Sequence, residues 1–233
     1  MNQTKEKSIP IHVALIPDGN RRWAKSKGLK ASYGHIKGGD YEHLKNLILE
    51  SKRLGVKYLS MWAFSTENWS RPEAEREVIF KLILGLIRKL REDVLKHKIR
   101  LRFIGRRDRL PKVVISELLD LEKETKNSKD FNIVLCLDYG GRDEILRAIN
   151  KVIKSRIKKI DEKKFSKFLD TSEIPDVDLI IRTAGEKRAS GFMPFQAVYS
   201  EFYFSKLYFP DFDKRELGRA VKDFEKRKRN FGK

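Results

Sequence analysis

Residues 12–24 read HVALIPDGNRRWA, an apolar run that ends in a proline, an acid and a glycine and then presents a pair of arginines. The apolar run Val13 to Ile16 predicts a buried strand over Ile11–Ile16, and Pro17-Asp18-Gly19 predicts where it stops. Runs of the same kind recur at Tyr58–Phe64, Ile99–Ile104, Asn132–Leu137 and Leu179–Ile181, with a weaker one at Phe202–Phe204. Helix-length stretches separate them at Ile36–Leu54, Pro72–His97, Pro111–Lys126 and Asp143–Lys159, and another runs from Lys214 onward. The repeated strand-then-helix order predicts an α/β fold with a mostly parallel sheet of about six strands flanked by helices on both faces. A single domain is expected over residues 1–233, with a basic C-terminal tail at about 222–233. Isoleucines interspersed through the Lys-rich stretch Lys151–Lys164 read as an amphipathic helix with a solvated face.

Composition limits what the opening stretch can mean. At 233 residues and 40% hydrophobic content the chain can bury one substantial core. Lys+Arg 52 against Asp+Glu 33 gives a formal charge of +19, a field that favours anionic partners without choosing among nucleic acid, diphosphates and acidic lipid. Cys136, the only cysteine, lies in an apolar run, which excludes disulfide staples and points to a reducing compartment. MNQTKEKSIP has no apolar core of signal-peptide type, and no run approaches the ~20 apolar residues of a membrane span. The expectation is a cytoplasmic protein that touches a membrane only peripherally.

In an open α/β sheet, ligands collect beyond the carboxyl ends of the strands. The sharpest polar clusters fall there: DGNRRW at 18–23, FSTENWSRP at 64–72, DYGGR at 138–142 and RTAGEKRAS at 182–190. Their convergence would surround one site with Arg22, Arg71, Arg142, Arg182 and Arg188. Guanidinium groups suit phosphate through their planar fork of donors. Backbone N–H groups around Gly19–Arg21 would add an anion-binding concavity, with Asp18 beside it for a metal. Neither a Walker loop nor a G-x-G-x-x-G run occurs. Each cluster also has a purely structural account. An Asp-Gly pair after a strand is most often a turn; Ser70, Pro72 and Glu73 read as a helix start; Gly140-Gly141 reads as a sharp strand-to-helix turn. These accounts leave Asn68, Trp69 and Arg71 unexplained, together with the cations and serine of the last cluster.

The blocks HVALIPDGNRRWAKSKGL at 12–29, YGH at 33–35, WAFSTENWSRP at 62–72, LDYGGRDEI at 137–145, DLIIRTAGEKRASGF at 178–192 and SEFYFSKLYFPDFD at 200–213 occur in one order and spacing. That order resembles the signature of the cis-prenyltransferases, the family of undecaprenyl diphosphate synthase. The resemblance implies a homodimeric enzyme with an apolar tunnel. It would add isopentenyl diphosphate repeatedly to an allylic diphosphate primer such as farnesyl or geranylgeranyl diphosphate. Mg2+ is the implied cofactor, and a long-chain cis-polyprenyl diphosphate for a glycosyl carrier lipid is the implied product. By the same resemblance Asp18 positions Mg2+ and Glu201 is a second acid near the metal. Gly19, Asn20, Arg21 and Arg22, joined by Arg71, hold the allylic diphosphate; Arg182, Arg188 and Ser190 hold isopentenyl diphosphate. Trp23, His35, Phe64, Ser65, Asn68 and Trp69 line the reacting end, with Asn68 counted beside Asp18 as catalytic.

Apolar positions from Val78 to Leu90, interrupted by Gly85, span more of a helix than sheet contact needs and are the expected tunnel wall. The chain departs from the family pattern at Pro17, Ala31, Lys187 and Gly191. It departs again at Asn230, where an arginine usually stands in the tail and Arg227 or Arg229 is the available substitute. No Asp-Asp pair occurs, which sets aside the all-helical trans-type prenyltransferases. A nucleic-acid-binding alternative, motivated by the charge, finds no helix-turn-helix, zinc-ligand or aromatic RNP pattern, so no specific nucleic acid is expected.

Overall fold

His12–Ile16 (β1) is buried at every position, as a strand covered on both faces must be. In the computed structural model, which describes residues 9–229, it is followed by Asn20–Ser26 (α1), Ala31–Gly38 (α2) and Tyr41–Arg53 (α3). Then come Tyr58–Ser65 (β2), a short 3-10 turn at Thr66–Ser70, Glu73–Lys96 (α4), Ile99–Ile104 (β3), Lys112–Thr125 (α5), Phe131–Tyr139 (β4) and Gly141–Lys154 (α6). Glu162–Ser166 (α7), Leu179–Arg182 (β5), Glu201–Phe204 (β6), a 3-10 turn at Phe209–Asp211 and Lys214–Lys226 (α8) complete the order.

The six strands form one sheet in the order β3-β4-β2-β1-β5-β6, and every pairing is parallel. The single α/β domain with a parallel sheet is the expected architecture. The larger core, on one face, gathers Val13, Leu15, Leu47, Leu59, Ile83, Leu118 and Phe224. The other face buries Ala14, Ile16, Val134, Cys136, Tyr139, Phe192 and Met193. Among the described residues, no helix is long and apolar enough to cross a membrane.

Local chemistry corrects several expected boundaries. The predicted helix Ile36–Leu54 is two helices, because Asp40 caps a new one by accepting from His43 N at 3.0 Å directly after Gly38 and Gly39. The helix expected to run from Asp143 to Lys159 stops at Lys154, and Arg156 takes a left-handed φ of 57°, the conformation that ends helices. Consequently Lys151–Lys164 is not one amphipathic helix, and the isoleucine spacing continues past the end of the helix that suggested it. The turn after β1 is also more ordered than a loop: Gly19, at φ 96°, leads directly into α1. A Cβ on Gly19 would lie 2.6 Å from Tyr208 Cδ1 and 2.7 Å from Ala184 Cβ, so this position tolerates glycine alone.

Candidate active site

Parallel register brings distant residues to one edge. Ile16, the last residue of β1, lies beside Arg182, the last residue of β5. The loops that leave the two strands are stitched together by Thr183, whose hydroxyl accepts from Asp18 N at 2.8 Å and donates to Asp18 O at 2.6 Å. Phe209 N also donates to Asp18 O, at 3.0 Å. The backbone of Asp18 is therefore fixed by three hydrogen bonds to two other segments, and its carboxylate is free to be positioned by charge.

Asp18 Oδ2 accepts from Arg182 Nη2 at 2.8 Å, and Oδ1 accepts from Gly19 N at 2.6 Å and Arg22 Nη2 at 3.2 Å. Burial alone would raise this carboxyl, but the Arg182 hydrogen bond and the charges of Arg182 and Arg22 hold it below its ordinary value. Arg182 is 5% exposed, and its Nη1 donates to Arg188 O at 2.6 Å and Ser190 Oγ at 2.7 Å. Its Nε is buried without a partner among the described residues. An unpaired donor of this kind suits an incoming phosphate oxygen.

A second basic group lies across the pocket. Arg71 Nη1 donates to Glu75 Oε1 at 2.8 Å, His35 Nε2 lies 3.1 Å from the same oxygen, and Arg21 Nε lies 4.0 Å away. Burial and then the Arg71 charge lower the pKa of His35, which favours the neutral ring. Asp18, Gly19, Asn20, Arg21, Arg22, His35 and Arg71 line a polar pocket of about 480 Å3. Beneath it lies an apolar cavity of about 140 Å3, walled on the α4 side by Ile79, Leu82, Ile83, Leu86, Ile87 and Leu90. Pro17, Asn20 and His35 line both spaces. Of the expected tunnel-wall residues, Val78, Phe80 and Leu84 are not on the cavity.

The chain is similar to known proteins along nearly its whole length. A family model described as "Putative undecaprenyl diphosphate synthase" matches residues 16–232. The isoprenyl transferase of Aquifex pyrophilus is 46% identical over 225 residues, covering 97% of this chain and 96% of that protein. The isoprenyl transferase of Thermotoga maritima is 42% identical over 228 residues, with 96% and 97% covered. The chain belongs to the undecaprenyl diphosphate synthase family. Two solved structures of prenyltransferase type agree. Lavandulyl diphosphate synthase from Lavandula x intermedia, solved with dimethylallyl diphosphate, superposes with a TM-score of 0.92 at 34% identity, covering 97% of this chain and 99% of that one. A probable undecaprenyl diphosphate synthase from Campylobacter jejuni gives 0.83 at 34% identity, with 97% and 100% covered. The protein is a cis-prenyltransferase, an enzyme of isoprenoid synthesis that acts on prenyl diphosphates.

Within this prenyltransferase, the remaining expected residues divide by position. Phe64 is 1% exposed and packs its ring 5.0 Å from that of Phe80 and 5.5 Å from that of Trp69, so it holds the wall of the core. Ser65 and Asn68 form a reciprocal cap on the 3-10 turn, with Ser65 N donating to Asn68 Oδ1 at 3.1 Å. Trp69 donates its indole N–H to buried Asp138 at 2.8 Å, and the guanidinium groups of Arg76 and Arg109 lie 5.5 and 5.4 Å from its ring centre. Trp23 donates to Asp211 at 2.9 Å and lines neither space. Arg142 is exposed at the start of α6, and Gly141 is glycine because a Cβ there would meet Pro194 at 2.0 Å.

Glu201 is not brought to Asp18. It opens β6 opposite Leu179, at the amino end of the sheet, and accepts from Arg227 Nη1 at 2.7 Å. Register decides this, because Glu201 lies three positions before Phe204, which meets Arg182 at the carboxyl edge. Arg229 is likewise engaged within its own chain, with Asp178 at 2.6 Å. Asn230 and the rest of the tail lie outside the described residues. Among the described residues no cluster of three or more His, Cys, Asp or Glu side chains is arranged for a metal. One ionised carboxylate in a cationic pocket nevertheless fits a hard cation that takes its other ligands from phosphate and water.

Sequence reading missed the acids that hold the cations. Glu75 follows Arg71 by one helical turn, a spacing that was legible. Glu186 joins Arg22 at 2.5 Å and also pairs with Arg188, a contact between loops that no spacing reveals.

Proposed function

We propose that the enzyme condenses isopentenyl diphosphate repeatedly onto an allylic diphosphate such as farnesyl or geranylgeranyl diphosphate, building a long-chain cis-polyprenyl diphosphate for a glycosyl carrier lipid. The observation that carries this reading is the cationic pocket that opens, through Pro17, Asn20 and His35, onto an apolar cavity. An anionic head with an apolar tail matches that pair of spaces. A relative of the same fold was solved with an allylic diphosphate, dimethylallyl diphosphate.

In this reading Gly19, Asn20, Arg21, Arg22 and Arg71 take the allylic diphosphate, and Arg182, Arg188 and Ser190 take isopentenyl diphosphate. Asp18 lies between the groups and holds Mg2+. When bound, Mg2+ neutralises charge growing on the departing diphosphate. The fixed guanidinium and N–H groups stabilise the same charge as the allylic C–O bond breaks. Holding the two substrates in register removes much of the entropic barrier, as much as ~7–11 kcal/mol in a well-oriented site. Asn68, with Oδ1 committed to Ser65, offers its amide N–H groups to the reacting end.

The same reading makes the protein a cytoplasmic homodimer that contacts the membrane peripherally to release its product. Leu146, Ile149 and Ile153 are exposed at helical spacing on α6, and Val198 and Tyr199 are exposed before edge strand β6, surface that a second copy would cover. Incubation of the pure protein with radiolabelled isopentenyl diphosphate, an allylic primer and Mg2+ tests the function. Labelled material should pass into the organic phase only when primer and metal are present, and its absence under all primers would defeat the reading.

A further inference from the structure

Arg22 and Arg188 sit on separate loops, after β1 and after β5, yet one carboxylate serves both. Glu186 Oε1 accepts from Arg22 Nη1 at 2.5 Å, and Glu186 Oε2 accepts from Arg188 Nη1. Arg22 also reaches Asp18, Asp18 accepts from Arg182, and Arg182 closes the circuit on the Arg188 carbonyl and the Ser190 hydroxyl. The chain reverses through left-handed Ala184 and Gly185 immediately before Glu186, and passes through left-handed Ser190 and Gly191 soon after it. Backbone conformations of that kind in non-glycine residues are uncommon and concentrate at functional loops.

The two guanidinium groups held by Glu186 are those assigned above to different diphosphates. Their side chains are 43% and 58% exposed, so both can exchange partners without unpacking the core. A carboxylate and a phosphate compete for the same fork of donors, and their like charges repel.

We propose that Glu186 is a built-in counter-ion that couples the two substrate sites: the first diphosphate to bind displaces it, and the second finds its arginine already released. The proposal rests on the assignment of these loops to two diphosphates. Displacement is a single event shared by two binding steps, so it weakens only the ligand that arrives first. By linkage the effect is reciprocal, whichever substrate leads. Glu186 acts through the arginines and is a positioning residue. Hydrogen bonds from Arg188 and then Arg22 hold its carboxyl below the ordinary range, so it stays anionic wherever the arginines stay paired.

Calorimetric titration of the full chain with isopentenyl diphosphate, alone and with a saturating allylic thiolodiphosphate that does not react, tests this directly. Glu186→Gln keeps the shape and removes the charge; Glu186→Asp keeps the charge but is too short to span both arginines. Exposed ion pairs are individually weak, so the expected gain for either ligand binding alone to Glu186→Gln is about two- to fivefold. The factor by which one ligand improves binding of the other should fall by about the same amount in both variants. Weaker binding of the single ligands to Glu186→Gln, or wild-type coupling in both variants, overturns the proposal while leaving the two sites in place. A wild-type protein that binds neither diphosphate overturns the site assignment as well.

Discussion

Asp18 combines a rigid backbone with a carboxylate surrounded by cations, and the two properties separate in mutants. Its main-chain contacts to Thr183 and Phe209 survive loss of the side chain, so Asp18→Ala should fold normally. Turnover should fall by at least ~10²–10³, the scale of losing one preorganised charge-stabilising group. Near-wild-type turnover in Mg2+ would refute the metal role. Arg22→Ala should act mainly on the Michaelis constant of the allylic substrate, and Arg188→Ala mainly on that of isopentenyl diphosphate. Steady-state kinetics with each substrate varied in turn would show equal effects on both if the assignment is mistaken. Arg182→Ala should do more than either, because it also releases Asp18 and the Arg188–Ser190 segment. Most polar residues of this site were legible in the sequence because parallel strands deliver their following loops to a common edge. The place of Glu201 within the chain was not legible, because register, which puts it beside Leu179, is not written in any local pattern.

Helix α4 divides its apolar side chains between the cavity and the surrounding core. Leu82 and Leu86 line the apolar cavity, whereas Gly85 between them does not, and nothing lies within 4 Å of a Cβ built on it. Leu82→Trp or Leu86→Trp should shorten the product while sparing the first condensation. The volume is decisive here, since about 140 Å3 is close to the size of a cavity that accepts one benzene, so a long tail must already push the wall outward. Gly85→Ala should leave product length unchanged and stabilise the helix by ~0.5–1 kcal/mol, through lower unfolded-chain entropy and higher helix propensity. Chromatography of extracted prenols and urea melts check the pair; equal product lengths in the Trp variants would move the tail elsewhere. The apolar surplus on α4 was readable from periodicity, but its division between cavity and core was not. The end of α6 at Lys154 was hidden for a related reason. Ile153, Ile157 and Ile160 keep a helical spacing although they are exposed, so periodicity there did not report burial.

Across the whole molecule, burial of His12 predicts sensitivity to acid. Its Nδ1 donates to Pro175 O at 2.8 Å, so in the neutral ring Nε2 accepts from Ser60 Oγ at 2.7 Å, and burial lowers its pKa from 6.5 to about 4. The folded state therefore resists a proton that the unfolded chain accepts. The stability contributed by the neutral ring is complete above pH 6.5 and is lost as pH falls toward about 4. By pH 5 the loss should be about 2 kcal/mol. Burial of Glu144 acts in the opposite sense, raising its pKa, so the comparison should be made against His12→Asn. Urea melts at pH 7.5 and pH 5 should show a steeper loss in the wild type than in the variant, and parallel losses would exclude His12 as the cause.

The strand order also governs how the chain can be made. β1 emerges first but sits between β2 and β5, and the Asp18–Arg182 contact joins residues 164 positions apart. Until Leu179–Arg182 has left the ribosome, the central strand keeps one edge open, a template for pairing with another chain. A nascent chain halted before that point has Asp18 but lacks Arg182, which orients its carboxylate. Such a fragment, with that edge unpaired, is a client for chaperones and proteases.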